Sequence, residues 1–397
     1  MRSFRKFTTR TVVVGGLLAA FGSANAAFAA PVGFNDAVNQ VRATGSDTTY
    51  YVMQRIADLY NGSPGCSLDP ASSFQTCAST QPTGVVTSED YDHDEVQNAY
   101  PTGSGNGIKA VCGTLGGTGT LPVDFARSSK DAVTGDCAGL TNQAYARDAI
   151  DPIVFPNVAS SATQGSPAAG CKPGEAAGSC SGANVTGIGT GALPQGLTKQ
   201  NLTDIFVNCT VTDWGQLTNG GTPGATPPTY GTATGQKIVV WGIQTNSGTY
   251  GVFKNFVGGD PNSCVTSSGG QIIFENDAQP IASAGADVQS RSIYWMSNGR
   301  FNVAPFTRAN GSNTKVNGVR AVSSTITSTP PTYPITRNLN NVYKTSGASQ
   351  ATAAFMNWIC QPSHTIDPET NRNYASEIGS AVGQSGFFAQ ACTFTTT

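Results

Sequence analysis

Three polar loops, each standing directly before a stretch with helical apolar spacing, constrain this chain more than any other feature. They are Gly45-Ser46-Asp47-Thr48-Thr49, Gly103-Ser104-Gly105-Asn106-Gly107 and Asn246-Ser247-Gly248-Thr249. A helix start leaves backbone N–H groups unpaired and carries positive partial charge, so an anion settles there without a metal or a lysine. After the first loop, Val52, Ile56, Leu59 and Tyr60 fall on one helical face. After the third, Val252, Phe253, Phe256 and Val257 do the same, up to a stop at Gly258-Gly259. Lys237-Ile238-Val239-Val240-Trp241, just ahead of the third loop, reads as a buried strand. Strand, polar loop, helix is the repeat of an α/β fold with parallel or mixed sheets, in which ligands bind at the carboxyl ends of strands. The loops are far apart in sequence, so tertiary structure must gather them into one cradle.

The amino-terminal segment reads as an export signal occupying residues 1–29. Arg2, Arg5, Lys6 and Arg10 form a basic start, Thr11 to Phe21 is a short apolar run, and Ala27-Phe28-Ala29 is a small-x-small cleavage site. That run is too short to span a membrane, and no second long apolar stretch follows. A soluble protein, secreted or periplasmic, is expected, with no cysteine near the cleavage point to carry a lipid. Export matches the ten cysteines, an even number for an oxidising compartment. Pairing neighbours in sequence gives Cys66–Cys77, Cys112–Cys137, Cys171–Cys180, Cys209–Cys264 and Cys360–Cys392, a scheme that sequence does not fix. A zinc cluster fits poorly, because no Cys-x-x-Cys spacing occurs and the only histidines are His93 and His364.

Charge and motifs narrow the function classes. Only 12% of residues are charged, and 22 basic residues are scattered among 24 acidic ones, so the basic stripe of a nucleic-acid binder is missing. No Gly-x-Ser-x-Gly elbow is present, and two isolated histidines do not build a Ser-His-Asp set. The acidic cluster Glu89-Asp90-Tyr91-Asp92-His93-Asp94-Glu95 lacks the glycine and spacing of a calcium loop and reads as a solvated turn. Neither a metal nor a cofactor is expected. Gly/Ser/Pro-rich stretches at 160–189 and 219–235 read as long surface loops.

Further strings lie between and around the loops in a fixed order: Val123-Asp124-Phe125-Ala126-Arg127-Ser128-Ser129, Leu202-Thr203-Asp204-Ile205-Phe206 followed by Asp213-Trp214, and Pro334-Ile335-Thr336. With the loops, they make the mature chain resemble the phosphate-binding proteins that serve ABC transporters, and within them a secreted actinobacterial branch. One glycine-rich string would mean little; the whole set in order carries the resemblance. It implies a two-lobed α/β fold with mixed sheets flanked by helices, the ligand between the lobes. Lobe 1 would comprise residues 30–152 plus 336–397, and lobe 2 residues 153–335. The chain would cross outward near Asp151-Pro152-Ile153-Val154-Phe155 and return near Ile335-Thr336-Arg337. A C-terminal helix with Ala351, Ala354, Phe355, Trp358 and Ile359 on one face would pack on lobe 1.

Carried over by position, the resemblance implies oxyanion contacts from Asp47, Thr48, Ser104, Ser129, Ser247, Gly248 and Thr249. It also exposes departures: Ile243 stands where the family places an arginine, Thr245 where it places the acid steadying that arginine, and Ser129 where it places an aspartate. A compensated site is therefore expected, with Arg127 supplying the cation and Asp47 accepting a ligand proton. The reading is a monomeric solute-binding protein, not an enzyme, that captures phosphate or a related tetrahedral oxyanion and hands it to a membrane permease. The altered charges keep two alternatives in view: an extracellular surface, matrix or adhesion protein on the same scaffold, and, less well supported, an extracellular phosphatase.

Overall fold

The computed structural model describes residues 40–61, 95–98, 103–115, 123–133, 135–155, 196–218, 230, 235, 237–346, 350–360 and 373–392. The signal segment, most of the acidic cluster, both histidines, both long loop stretches apart from residues 230 and 235, and Cys66, Cys77, Cys171 and Cys180 lie outside them.

Among the described residues, eleven strands form the sheets: β1 (Gln40–Gly45), β2 (Glu95–Asn98), β3 (Phe125–Ser128), β4 (Leu140–Val154), β5 (Val239–Val240), β6 (Gly242–Ile243), β7 (Ile272–Ile273), β8 (Ser292–Ser297), β9 (Ser312–Asn313), β10 (Thr336–Lys344) and β11 (Phe388–Ala389). Nine belong to one mixed sheet, in the order β2-β1-β3-β10-β4-β8-β5 with β9 and β11 also on β4, while β6 and β7 pair separately. The first three pair parallel, β10 runs antiparallel to both β3 and β4, and β5 is parallel to β8.

The 15-residue strand β4 is the spine. Its first part, Leu140 to Ala149, pairs with β10; its last part, Ile150 to Val154, pairs with β8 and partly with β9. At the changeover the Ile150 N–H donates to the Ile335 carbonyl at 2.9 Å. Separate apolar clusters lie along it. One joins Val41, Val52, Ile56, Tyr60, Phe125 and Leu339 to Phe355, Trp358 and Ile359 of the helix Gln350–Cys360. The larger one gathers Ile150, Ile153, Leu202, Phe206, Trp214, Phe253, Val257 and Trp295, with Phe253 stacked on Trp295 at 4.6 Å. Val52, Ile56 and Tyr60 are buried, as their spacing on helix α1 (Tyr50–Asn61) requires.

The stretch Lys237–Trp241 differs from the single strand expected of it. Only Val239–Val240 joins the large sheet, and after Trp241 the chain shifts to the small one as β6. Trp241 still holds to β8, its N–H donating to the Ile293 carbonyl and its indole Nε1 to Ser292 Oγ at 2.8 Å, and the chain leaves the large sheet directly after it. Disulfides Cys112–Cys137, Cys209–Cys264 and Cys360–Cys392 are formed, with Cα separations of 5.9, 5.5 and 5.0 Å, inside the range disulfides require. No helix among the described residues is long and apolar enough to cross a membrane.

Candidate functional site

The three loops meet, and they are tied to one another through their backbones. The Gly103 N–H donates to the Gly45 carbonyl at 2.9 Å, and the Gly105 N–H to the Asn246 carbonyl at 3.1 Å. The Ser46 N–H donates to the Arg127 carbonyl at 2.8 Å, bringing in the end of β3. Contacts this short explain the glycines. Gly45 has φ +132°, which side chains rarely adopt, and a Cβ there would stand 2.2 Å from the Arg127 oxygen. A Cβ on Gly248 would lie 2.5 Å from both Ser104 Oγ and Ser129 Oγ.

Helix α2 (Ser104–Val111) and the helix Gly248–Val257 start at this meeting point, the latter capped by Ser247 Oγ accepting from the Tyr250 N–H at 3.1 Å. Ser104 Oγ accepts the Ser129 N–H at 3.0 Å and contacts Ser129 Oγ at 3.2 Å; Ser46 Oγ donates to Ser129 Oγ at 3.1 Å. Thr48 and Thr249 face each other, Oγ1 to Oγ1, at 3.4 Å. Thr48, Ser104, Ser129, Ser247, Gly248 and Thr249 are thus one buried cluster.

Its cation is Arg337, which the sequence analysis noted only as the return crossing. Arg337 Nη1 donates to Thr249 Oγ1 at 2.5 Å and to the Ser129 carbonyl at 3.4 Å, and Nη2 approaches Thr48 Oγ1 at 3.4 Å. The other edge of the guanidinium is held by Asp148 Oδ2, at 3.0 Å from Nε and 2.7 Å from Nη2. These two residues are register partners across β4 and β10, and the ion pair is almost wholly buried. An arginine with a steadying acid, whose expected places hold Ile243 and Thr245, is therefore supplied by the two crossing strands, and Ile243 is in the apolar core. Opposed charges 189 residues apart become visible only with the strand register.

Arg127, expected as the cation, lies against Tyr50 and within electrostatic reach of Asp47. It is fully buried with its guanidinium carbon 4.9 Å from the centre of the Tyr50 ring, a cation–π arrangement. Burial lowers its pKa to about 10, with the negative charge of Asp47 opposing that shift. Asp47 is displaced in the opposite sense. Burial first, then the nearby Glu275 carboxylate, raises it to about 8, while its backbone hydrogen bond and Arg127 pull it down. Asp47 Oδ2 accepts from Gln244 Nε2 at 3.4 Å.

A second unforeseen residue is Glu275, only 4% exposed, in the turn after β7. Its Oε1 accepts the Thr48 N–H at 3.0 Å and the Thr48 hydroxyl at 2.7 Å, and its Oε2 accepts the Ser247 hydroxyl. Nothing near Glu275 in sequence signals this role, since the contact spans 227 positions. Among the described residues, no group of three or more His, Cys, Asp or Glu is placed to hold a metal.

A buried hydroxyl and N–H cradle around an arginine, reached from two crossing strands of an α/β sheet, defines a solute-binding class of site. The chain belongs to the PBP superfamily, whose domain model matches residues 33–363. Among solved structures it is similar to a Clostridium perfringens protein described as a phosphate ABC transporter substrate-binding protein with bound phosphate. That match has a TM-score of 0.52 and 17% identity, covering 89% of this chain and all of the other. An ABC-type phosphate transport receptor from Vibrio cholerae matches at TM-score 0.50 and 13% identity, over 88% of this chain and 99% of that one. At these identities the likeness establishes the two-lobed fold. No curated protein sequence matches the chain.

Proposed function

We propose that this is an exported solute-binding protein that takes phosphate or a related tetrahedral oxyanion into the cradle for ABC-type uptake. One observation carries the reading: the buried cluster of Thr48, Ser104, Ser129, Ser247, Gly248 and Thr249 meets Arg337 through the Thr48 and Thr249 hydroxyls and the Ser129 carbonyl, and Arg337 is itself fixed by Asp148. Preorganised donors plus one oriented guanidinium suit an oxyanion, because a fork of N–H groups matches two oxygens at once. Asp47, raised by burial and by the Glu275 charge to about 8, stands beside the cradle as a group able to share a proton with the oxyanion. Arg127, buried against Tyr50 and within electrostatic reach of Asp47, contributes positive charge to the first loop. In this reading lobe 1 comprises residues 30–152 with 336–397 and lobe 2 residues 153–335, a division supported by the changeover of β4 partners at Ile150 and by the separate apolar clusters. Residues 1–29 would direct export, and the partners would be a membrane permease and its ATPase.

Isothermal calorimetry with phosphate, sulfate and chloride tests this reading. Phosphate should bind stoichiometrically and raise the melting temperature with the logarithm of its concentration, as for a ligand of the folded state alone. Absence of heat and of any melting shift with phosphate and sulfate at millimolar levels would sink it.

A further inference from the structure

We infer that Glu275 is an internal ligand of the cradle, a carboxylate that competes with external oxyanions for Thr48 and Ser247 and thereby sets the affinity of the site. The inference rests on the oxyanion reading above and goes beyond it. The carboxylate takes the Thr48 N–H and hydroxyl on one oxygen and the Ser247 hydroxyl on the other. Those are donors from the first and third loops, two of the three that an oxyanion would use. A carboxylate whose two oxygens accept a helix-start N–H and two hydroxyls is satisfied in the way two oxygens of a phosphate would be. Both cannot hold these donors together, and two anions side by side in a buried site repel.

The turn that presents Glu275 is built to hold this position. Asn276 sits at φ +62°, a left-handed conformation uncommon outside glycine, and its side-chain Nδ2 donates to Thr48 Oγ1 at 3.1 Å. The Glu275 N–H donates to Gln244 Oε1 at 2.7 Å, tying the turn to the strand that leads into the third loop. On the other side, Phe274 is 69% exposed, so withdrawing the turn uncovers little apolar surface there. A site occupied by its own carboxylate for most of the time binds an outside anion more weakly by the fraction of molecules in which the cradle is vacated. Glu275 thus serves as the affinity-setting residue, and an entering oxyanion must displace its carboxylate from Thr48 and Ser247.

The test compares wild type with Glu275→Gln and Glu275→Ala at one pH, using phosphate in calorimetry and formate in thermal unfolding. Glu275→Gln keeps the shape of the side chain and guards against misfolding of the alanine variant. The expected result is phosphate bound roughly ten-fold or more tighter by both variants than by wild type. Formate should refill the vacated donors and raise the melting temperature of Glu275→Ala but not of wild type, a response that a merely structural glutamate would not give. Phosphate binding equal to or weaker than wild type in both variants, with no formate effect, overturns the inference while leaving the oxyanion reading intact. A formate effect with no phosphate binding in any of the three proteins supports the internal ligand and sinks the phosphate reading instead. Neither response in any protein overturns both.

Discussion

Arg337 and Asp148 join stability to binding in one ion pair. Removing one partner of a buried pair leaves the other charge uncompensated, which costs about 3–5 kcal/mol. Arg337→Gln should lose that much in urea unfolding and lose phosphate binding. The double variant Arg337→Gln/Asp148→Asn should recover most of the stability and none of the binding. Recovery of binding in the double variant would remove Arg337 from the site. Asp151 offers a second prediction. It is fully buried beside the strand changeover, with Oδ2 accepting from Asn298 at 2.7 Å and Asn313 at 3.2 Å, and burial raises it to about 7. Because the folded-state pKa lies above the unfolded one, the native state binds the extra proton. Stability is full below about pH 4 and falls as pH rises towards 7, by a few kcal/mol in order of magnitude. Asp47 adds a decline of the same sign up to about pH 8. Asp151→Asn should flatten the lower part of this profile in denaturation curves measured from pH 4 to 8; an unchanged slope would show that the carboxyl titrates normally.

At the scale of elements, the helix starts that opened the sequence analysis decide how closely the loops approach. A methyl group on Gly248 would press on Ser104 and Ser129, whereas one on Gly251, a turn further along the same helix, meets nothing closer than Lys130 Cδ at 3.7 Å. Gly248→Ala should therefore cost about 1–3 kcal/mol by overpacking and weaken phosphate binding, while Gly251→Ala stays near neutral. Equal effects of the two substitutions would contradict a tight contact between the second and third loops. The helix faces were legible in sequence because apolar spacing alone sets which side is buried, as Val52, Ile56 and Tyr60 show. The split of Lys237–Trp241 between two sheets was not, because apolar content does not reveal which sheet a strand joins.

For the whole molecule, β4 and β10 carry the argument. Their pairing runs from Leu140 to Ala149, and β4 continues into the second apolar cluster without a break. Two clusters sharing an unbroken strand should melt together: calorimetry should give one transition whose calorimetric and van't Hoff enthalpies agree. Two resolved transitions would mean that the clusters fold independently.

The sequence by itself determined the loops, their order, the amphipathic faces and the family to which the chain belongs, because these depend on residue type and spacing over short distances. It also marked Thr48, Ser104, Ser129, Ser247, Gly248 and Thr249, all of which meet in one cluster. Which charges face that cluster was decided only by tertiary structure. Arg337 meets Asp148 through strand register, and Glu275 reaches Thr48 across 227 positions, whereas Arg127, nearer in sequence to the first two loops, turns under Tyr50. A hydroxyl or glycine beside a helix start is placed by local backbone geometry. A long charged side chain goes where burial and a distant partner together make its charge tolerable, and no short stretch of sequence contains that balance.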